Sequence, residues 1–179
     1  MRKPVTVLFS DIVDSTRLAE ALEAEVLGDV LTRYFGAMRA CIEEHGGTIE
    51  KFIGDAIMAV FGIPIVREDD AARAVGAAAD MRTALESLNE RLYAEHGVHI
   101  ENRTGINTGE VIAADRHAER TLPLGDTANV AARLEQSADP GEVLLGEMTY
   151  KAGRPPHRGD ERRAAHRQGQ DRAADGLSP

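Results

Sequence analysis

The chain of 179 residues is 42% hydrophobic and 28% charged, which is enough apolar material for one aliphatic core and excludes wholesale disorder. Its net charge is −9, and residues 1–150 alone carry −12, which argues against nucleic-acid binding because such binding depends on neutralising phosphates. The longest uncharged run, residues 56–66, is too short for a membrane span of about 20 residues, and a single cysteine excludes an intrachain disulfide, so we expect a cytoplasmic protein without membrane insertion.

The first predicted elements are a buried strand and an amphipathic helix. The apolar residues 5–9 form the strand. Ser15 or Thr16 is expected to cap the helix that follows, because a hydroxyl can accept hydrogen bonds from first-turn N–H groups. Over residues 18–42 apolar side chains recur every four positions, which predicts one long helix, or two helices with a break near Gly28.

The middle of the chain predicts a β-hairpin and then a second helix. Two apolar runs, residues 48–53 and 56–61, flank a Gly-Asp pair, so Asp55 is expected at the hairpin tip. The second helix opens at the acidic residues 68–70 and runs to about His96.

The later elements complete an α+β arrangement. Strands are expected near residues 99–107 and 111–114, a short helix over 127–136, and a last strand at 142–145. The predicted order, β-α-β-β-α-β-β-α-β, indicates a sheet with helices packed on one face.

Residues 151–179 differ from the rest of the chain. They hold seven Lys/Arg against four Asp/Glu, and their hydrophobic residues are alanines and Leu177. Such a segment cannot bury enough apolar surface to offset its ordering entropy. We therefore expect a domain boundary after Tyr150 and a disordered basic tail at 151–179.

Two aspartates stand where apolar strands end. Asp11 follows the first strand, and Asp55 lies at the predicted hairpin tip. If these strands are neighbours, two carboxylates converge at one end of the sheet, and such hard oxygen ligands suit Mg²⁺ or Mn²⁺. The alternative is that both are turn aspartates, which are common at such positions.

Three further polar residues are candidates for chemistry. Asn129 and Arg133 are four positions apart on a predicted helix and therefore share a face. An amide that can orient a hydroxyl then lies beside a guanidinium that can neutralise a phosphate, although a merely solvent-exposed helix face is the alternative. Lys51 precedes Asp55 on the predicted hairpin and is, by itself, an ordinary surface lysine.

Four sequence blocks together carry a resemblance to a known family. They are FSDIVDST at 9–16, KFIGD at 51–55, GINTGEV at 105–111 and GDTANVAAR at 125–133. In this order they resemble the class III adenylate/guanylate cyclase catalytic domain of bacterial type, over residues 4–150.

The resemblance implies a metal-dependent nucleotidyl cyclase. Asp11 and Asp55 match the two metal-binding aspartates, with the carbonyl of Ile12 as a further ligand, for two Mg²⁺ or Mn²⁺ ions per site. The ribose 3′-hydroxyl would attack the α-phosphorus, giving a 3′,5′-cyclic nucleotide and pyrophosphate. Asn129 matches the residue that positions the ribose, and Arg133 matches the residue that stabilises transition-state charge.

The same resemblance implies how the base is read and how the site is assembled. Lys51 matches one base-reading position. The second falls on Leu122, where typical members have Asp or Thr, and leucine cannot hydrogen-bond a purine edge. In the family the aspartates come from one subunit and Lys51, Asn129 and Arg133 from the other, so the active site is expected at a homodimer interface.

The predicted fold is thus α+β, a ferredoxin-like βαββαβ core of the nucleotide cyclase type, with the C-terminal sheet edge missing. The family ends in strands that carry a triphosphate-binding lysine, in a stretch like Lys-Gly-Lys, and no such stretch follows Tyr150. Residues 166–175 are compatible with a Lys-Gly-Lys-like strand read in another frame. The tail is therefore interpreted as a truncated or frame-shifted ending, the alternative being a genuine disordered tail.

The sequence accordingly predicts a homodimer that converts ATP, or GTP, to a cyclic nucleotide. A catalytically weak or inactive cyclase-like module that dimerises or regulates is the alternative, and Leu122 and the missing lysine favour it. A third reading, an enzyme that makes cyclic dinucleotides, lacks its Gly-Gly-acidic signature in this chain.

Overall fold

The computed structural model describes residues 2–112 and 124–153. In that part of the chain no helix is both long enough and apolar enough to cross a membrane. The described elements follow one another in this order: β1 (Arg2–Ile12), α1 (Ser15–Ala21), α2 (Ala24–Glu44), β2 (Thr48–Ile53), β3 (Ala56–Phe61), α3 (Asp70–His96), β4 (Asn102–Ile112), α4 (Gly125–Ser137), β5 (Val143–Leu145) and α5 (Glu147–Ala152).

Within these ranges the strands form one five-stranded sheet in the order β2-β3-β1-β4-β5. The central strand β1 runs antiparallel to both β3 and β4, whereas β5 pairs in parallel with β4. The predicted α+β class and βαββαβ core are confirmed. The described sheet ends at β5, and of the tail expected at residues 151–179 only residues 151–153 lie in the described part.

Helices cover both faces of the sheet. Successive side chains of a strand point to opposite faces. On one face Leu8 and Ile12 of β1 pack with α2 and α3 in the larger apolar cluster. On the other face Val5 and Val7 pack with Ala131 of α4 in a smaller cluster. The expectation of helices on one face alone is therefore wrong, because α4 lies across the opposite face.

The first helical segment is divided, but not near Gly28. The break between α1 and α2 falls at Leu22, which is extended with φ −111° and ψ 146°. The expected capping by Ser15 or Thr16 is also wrong. The cap position is Asp14, whose left-handed backbone (φ 53°, ψ 36°) turns the chain out of β1 and which makes no side-chain capping hydrogen bond.

β4 is one continuous strand where two strands were expected. It pairs with β1 along its whole length, from Arg2 opposite Ile112 to Ile12 opposite Asn102. Residues 113–114, the end of the second expected strand, lie outside the described residues. The short helix α5 had no counterpart in the sequence prediction, and it extends across the boundary expected after residue 150.

The segment between α3 and β4 is held by one buried amide. Asn89 of α3 donates from Nδ2 to the carbonyl oxygen of Ile100 at 2.8 Å, and its Oδ1 accepts from the N–H of Ile100 at 2.9 Å. Both residues are buried. Because buried backbone groups need partners, this pair of hydrogen bonds fixes the start of β4.

Candidate active site

Asp11 and Asp55 lie at the same end of the sheet. Asp11 of β1 stands directly opposite Ala56, the first residue of β3, and Asp55 is the residue immediately before it in the hairpin turn. Both aspartates are half-buried, and the side chain of Ile12 is buried in the core. Ile12 can therefore bind a metal ion only through its backbone carbonyl oxygen. Two carboxylates beside backbone carbonyl oxygens are a donor set that fits a divalent cation.

Asp11 is engaged by an arginine that sequence analysis missed. Arg103 stands opposite Asp11 on β4. Its Nε donates to Asp11 Oδ1 at 3.1 Å and its Nη2 to Oδ2 at 3.5 Å, while Nη1 donates to the carbonyl oxygen of Gln136 at 3.4 Å. The guanidinium of Arg103 therefore joins the end of β1 to the end of α4.

Glu135 of α4 is a second carboxylate beside the same guanidinium. Its side chain is 7% exposed, and its Oε1 lies 2.8 Å from Arg103 Nε. Within the described residues this oxygen nevertheless accepts no hydrogen bond. Burial first, and the neighbouring Asp11 carboxylate second, raise the pKa of Glu135 to about 7, while Arg103 acts in the opposite direction.

Glu135 had a sequence signal that could have identified it. Thr127, Ala131 and Glu135 recur every four positions and form the buried face of α4. A charged residue at a buried helix position needs a partner. Arg103 carried no comparable signal, because its partner Asp11 lies 92 residues away along the chain.

Buried polar side chains support the backbone that carries Asp11. Asn102 Nδ2 donates to Ser10 Oγ and to the Tyr34 hydroxyl oxygen, both at 3.3 Å, and Thr104 Oγ1 donates to Ser10 Oγ at 3.0 Å. Burial raises the pKa of Tyr34 to about 12, so the phenol stays neutral. Since Ser10 directly precedes Asp11, this network fixes the end of β1.

Asn129 and Arg133 lie on the solvent face of α4. They are four residues apart, opposite the buried face, and both are exposed. In residues 2–112 and 124–153 neither side chain has a hydrogen-bond or ion-pair partner. The shared face expected from their spacing is therefore present, and it is turned away from the sheet.

Two glycines of β4 set the position of α4. A Cβ on Gly105 would stand 2.3 Å from both the carbonyl oxygen of Ala131 and the backbone nitrogen of Glu135, and a Cβ on Gly109 would stand 2.4 Å from Thr127 Oγ1. Only a strand without side chains at these points lets the helix backbone come so close. Part of the block at 105–111 thus serves helix packing.

Lys51 lies on the exposed side of β2, opposite Met58. A register shift between Ile49 and Lys51 leaves Glu50 as an extra residue against β3, which is a β-bulge. Met58 belongs to the cluster beneath α4, so the bulge turns Lys51 toward that face, while Ile49 packs against the opposite core.

A cleft of about 340 Å³ lies between β2 and α4. Lys51 and Asn129 both line it. The remaining lining residues are mostly apolar: Phe9, Ile53, Met58, Leu124, Ala128 and Ala132, with Glu50 and Gly125. Asp11, Asp55 and Arg133 do not line this cleft. Leu122 lies outside the described residues.

A larger cleft of about 510 Å³ lies between α3 and residues 99–102. It contains none of the residues singled out as catalytic or binding candidates. The candidate residues therefore fall into two groups, the carboxylates Asp11 and Asp55 at one end of the sheet, and Lys51 with the exposed face of α4.

Comparison with known proteins gives a match to one protein family over most of the chain. Residues 1–173 match the model of the adenylate and guanylate cyclase catalytic domain. Adenylate cyclase 1 of Rhizobium meliloti is 33% identical over 148 residues, which cover 80% of this chain and 22% of that protein. The human guanylate cyclase soluble subunit beta-2 is 32% identical over 153 residues, covering 84% of this chain and 24% of that protein. The chain thus spans only about a quarter of the length of these relatives.

Solved structures give the same likeness. The adenylyl cyclase CyaB from P. aeruginosa superimposes with a TM-score of 0.77 at 38% identity, covering 85% of this chain and 81% of that one. The guanylyl cyclase Cya2 superimposes with a TM-score of 0.78 at 34% identity, covering 87% of this chain and 80% of that one.

Proposed function

The chain belongs to the adenylate and guanylate cyclase catalytic domain family, and from this membership we propose that it cyclises a purine nucleoside triphosphate at a homodimer interface with divalent metal ions. ATP is the first candidate substrate and GTP the second. The products are a 3′,5′-cyclic nucleotide and pyrophosphate, so the reaction is that of a lyase.

The observation that carries the proposal is the pairing of Asp11 with Ala56, which brings Asp11 and Asp55 to the same end of the sheet. These carboxylates and the carbonyl oxygen of Ile12 are proposed to hold two Mg²⁺ or Mn²⁺ ions. When bound, such ions lower the pKa of a coordinated hydroxyl and neutralise triphosphate charge. The protein residues contribute a fixed end of β1, held by the buried hydrogen bonds of Ser10 and Asn102.

Asn129 and Arg133 are proposed to act on the ribose and the α-phosphate. The amide of Asn129 can hold the ribose in the orientation that attack by its 3′-hydroxyl requires. The guanidinium of Arg133 can stabilise the negative charge that develops on the phosphate oxygens in the transition state. Both side chains are exposed, and both are free to meet a substrate because no described residue engages them.

The separation of the two groups supports assembly of the site between subunits. Lys51 and Asn129 border a cleft that neither Asp11 nor Asp55 lines. In a symmetric dimer the same two surfaces meet twice, so one protomer can supply the carboxylates and its partner the face of α4. Each dimer then has two sites.

The cleft between β2 and α4 is proposed to hold the purine base. Its lining by Phe9, Met58 and Leu124 suits a flat aromatic ring, and Lys51 supplies a hydrogen-bond donor at its wall. Leu122 is proposed as the neighbour of the base at the second reading position, where it offers only apolar contact. The expected consequence is weak discrimination between adenine and guanine.

A catalytically weak or inactive module that dimerises or regulates is the second candidate function. Leu122 favours it, because a leucine removes one polar contact to the base. We also propose that residues 1–150 form the catalytic unit, that 151–179 form a basic tail, and that the protein acts in the cytoplasm on nucleotides rather than nucleic acids.

The proposed function is tested by incubating the purified protein with ATP or GTP and Mn²⁺, and measuring cyclic nucleotide and pyrophosphate. We expect the two products in equal amounts. Asp11→Asn and Asp55→Asn are each expected to lower turnover at least about a hundredfold, because each removes a ligand of the ions. Glu90→Gln, at an exposed carboxylate of α3, is the matched control. Near-normal turnover in either aspartate variant would contradict the metal assignment, and nucleotide binding without turnover would favour the regulatory module.

A further inference from the structure

One guanidinium lies between two carboxylates at the end of the sheet. Arg103 Nε donates to Asp11 Oδ1 at 3.1 Å. The same Nε lies 2.8 Å from Glu135 Oε1, yet that oxygen accepts no hydrogen bond within the described residues. The single N–H of Nε is therefore committed to Asp11, and Glu135 is left beside it with an unused acceptor.

The burial of the two carboxylates is unequal. The side chain of Glu135 is 7% exposed, that of Asp11 18%, and that of Arg103 31%. A buried carboxylate oxygen without a hydrogen bond is costly, so Glu135, whose Oε1 accepts none, gains more than Asp11 from a full ion pair with Arg103. Asp11 is the more exposed of the two carboxylates and can more easily replace Arg103 with another partner.

The present pairing of Asp11 conflicts with the role proposed for it. Its oxygens are occupied by Nε and Nη2 of Arg103, and a divalent ion needs those same oxygens. A guanidinium held against both oxygens of Asp11 repels an approaching divalent ion and competes with it for those oxygens. Movement of the Arg103 guanidinium away from Asp11 would therefore make Asp11 a better ligand.

We infer that Glu135 is a positioning residue that receives the Arg103 guanidinium when Asp11 turns to a divalent ion. The inference rests on the proposed role of Asp11. Only a small rotation is required, because Nε is already within 2.8 Å of Glu135 Oε1. The hydrogen bond from Nη1 to the carbonyl oxygen of Gln136 keeps the guanidinium on α4 during the exchange.

This exchange predicts opposite effects for two substitutions. In Glu135→Gln the displaced Arg103 loses its charged acceptor, so ion binding becomes weaker, by about tenfold for the loss of one charge-assisted hydrogen bond. In Arg103→Gln no cation competes for Asp11, so ion binding becomes tighter. In the double variant the effect of Glu135→Gln should fall below about twofold, because Arg103 is no longer there to be received.

The experiment measures Mn²⁺ binding to the full-length protein without nucleotide, from the electron paramagnetic resonance signal of the free ion. The four proteins form a double-mutant cycle: wild type, Glu135→Gln, Arg103→Gln and the double variant. Circular dichroism and thermal unfolding check that each variant is folded. An equal loss of affinity from Glu135→Gln in both Arg103 backgrounds would overturn the exchange, since it would indicate a direct effect of the charge on the ion.

A second measurement needs no change at Glu135. In wild-type protein labelled with ¹⁵N, the Arg103 Nε–H resonance, assigned by its loss in Arg103→Lys, should shift on addition of Mg²⁺. A resonance that stays fixed while the backbone amide of Asp11 shifts would overturn the inference.

Asp11→Asn distinguishes this inference from the proposed function. Wild-type Mn²⁺ affinity in Asp11→Asn would overturn both. Weak binding in Asp11→Asn together with wild-type binding in Glu135→Gln would overturn the role of Glu135 alone and leave the proposed function standing.

Discussion

Gly105 of β4 lies directly beneath Ala131 of α4, so close that a methyl group on Gly105 would stand 2.3 Å from the Ala131 carbonyl oxygen. The contact fixes the height of α4 above the sheet. Asn129 and Arg133 lie on the other side of that helix, so their position depends on a glycine of the strand beneath it.

Gly105→Ala is therefore expected to displace α4. Overpacking of this kind costs about 1–3 kcal/mol of unfolding free energy, and turnover should fall because Asn129 and Arg133 move with the helix. Urea denaturation and the cyclase assay measure the two effects. Gly28→Ala is the control, since nothing lies within 4 Å of that position, and in an exposed helix it should stabilise the protein by about 0.5–1 kcal/mol. Equal stability of Gly105→Ala and wild type would show that the close contact at Gly105 does not fix the distance between α4 and the sheet.

Mixed dimers should regain activity that neither parent variant has. In a dimer of Asp11→Asn with Arg133→Ala, one of the two sites keeps every group. Random mixing at equal amounts gives half mixed dimers, so we expect about a quarter of wild-type turnover. The measurement is cyclic nucleotide production after co-refolding, with subunit exchange checked by differently tagged chains. Absence of recovery in dimers that have demonstrably mixed would argue for a site within one chain.

Discrimination between ATP and GTP is expected to be weak. Lys51 offers a polar contact at the wall of the cleft, whereas Leu122 offers none, and selectivity of this kind depends on polar groups that the wrong base leaves unpaired. The ratio of the two kcat/KM values should stay below about a hundredfold, or about 3 kcal/mol. Leu122→Asp should widen the ratio, and Lys51→Ala should lower kcat/KM for both nucleotides. A wild-type ratio well above that limit would exclude this account of the base site.

Asn89→Ala is expected to lower stability without changing nucleotide preference. The substitution leaves the N–H and carbonyl of Ile100 buried without partners, at a cost of about 2–4 kcal/mol for the two groups. Thermal unfolding measures the loss, and the ATP/GTP ratio of the variant, assayed well below its melting temperature, should equal that of wild type. Glu90→Gln is the control, because Glu90 directly follows Asn89 in the chain and is exposed. A changed ATP/GTP ratio in Asn89→Ala would mean that the segment between α3 and β4 affects the cleft proposed to bind the base.

The parts of the site that sequence could predict are those encoded locally. Asp11 and Asp55 each end an apolar run, and helical spacing put Asn129 and Arg133 on one face; their roles came from the family resemblance and stay a prediction. Arg103 was not predictable in this way, because only the pairing of β1 with β4 brings it opposite Asp11. Glu135 was overlooked because a charged residue on a short helix is usually solvated, and its burial follows from the glycines of a different strand.

The fold was predictable to a similar extent and for the same reason. Apolar runs located the strands and the two long helices. The break at Leu22 and the left-handed turn at Asp14 depend on how α1 leaves β1, which no local pattern records. The placement of α4 on the second face depends on Gly105 and Gly109, whose role appears only when strand and helix are in contact.

The sheet separates two apolar clusters, and only the smaller one lies on the face that carries Lys51, Asn129 and Arg133. The larger cluster, between the sheet and α2 and α3, includes Tyr34, whose hydroxyl belongs to the hydrogen-bond network that fixes the end of β1. A substitution in the larger cluster can therefore displace Asp11 through β1, and one in the smaller cluster can displace Asn129 and Arg133 through α4.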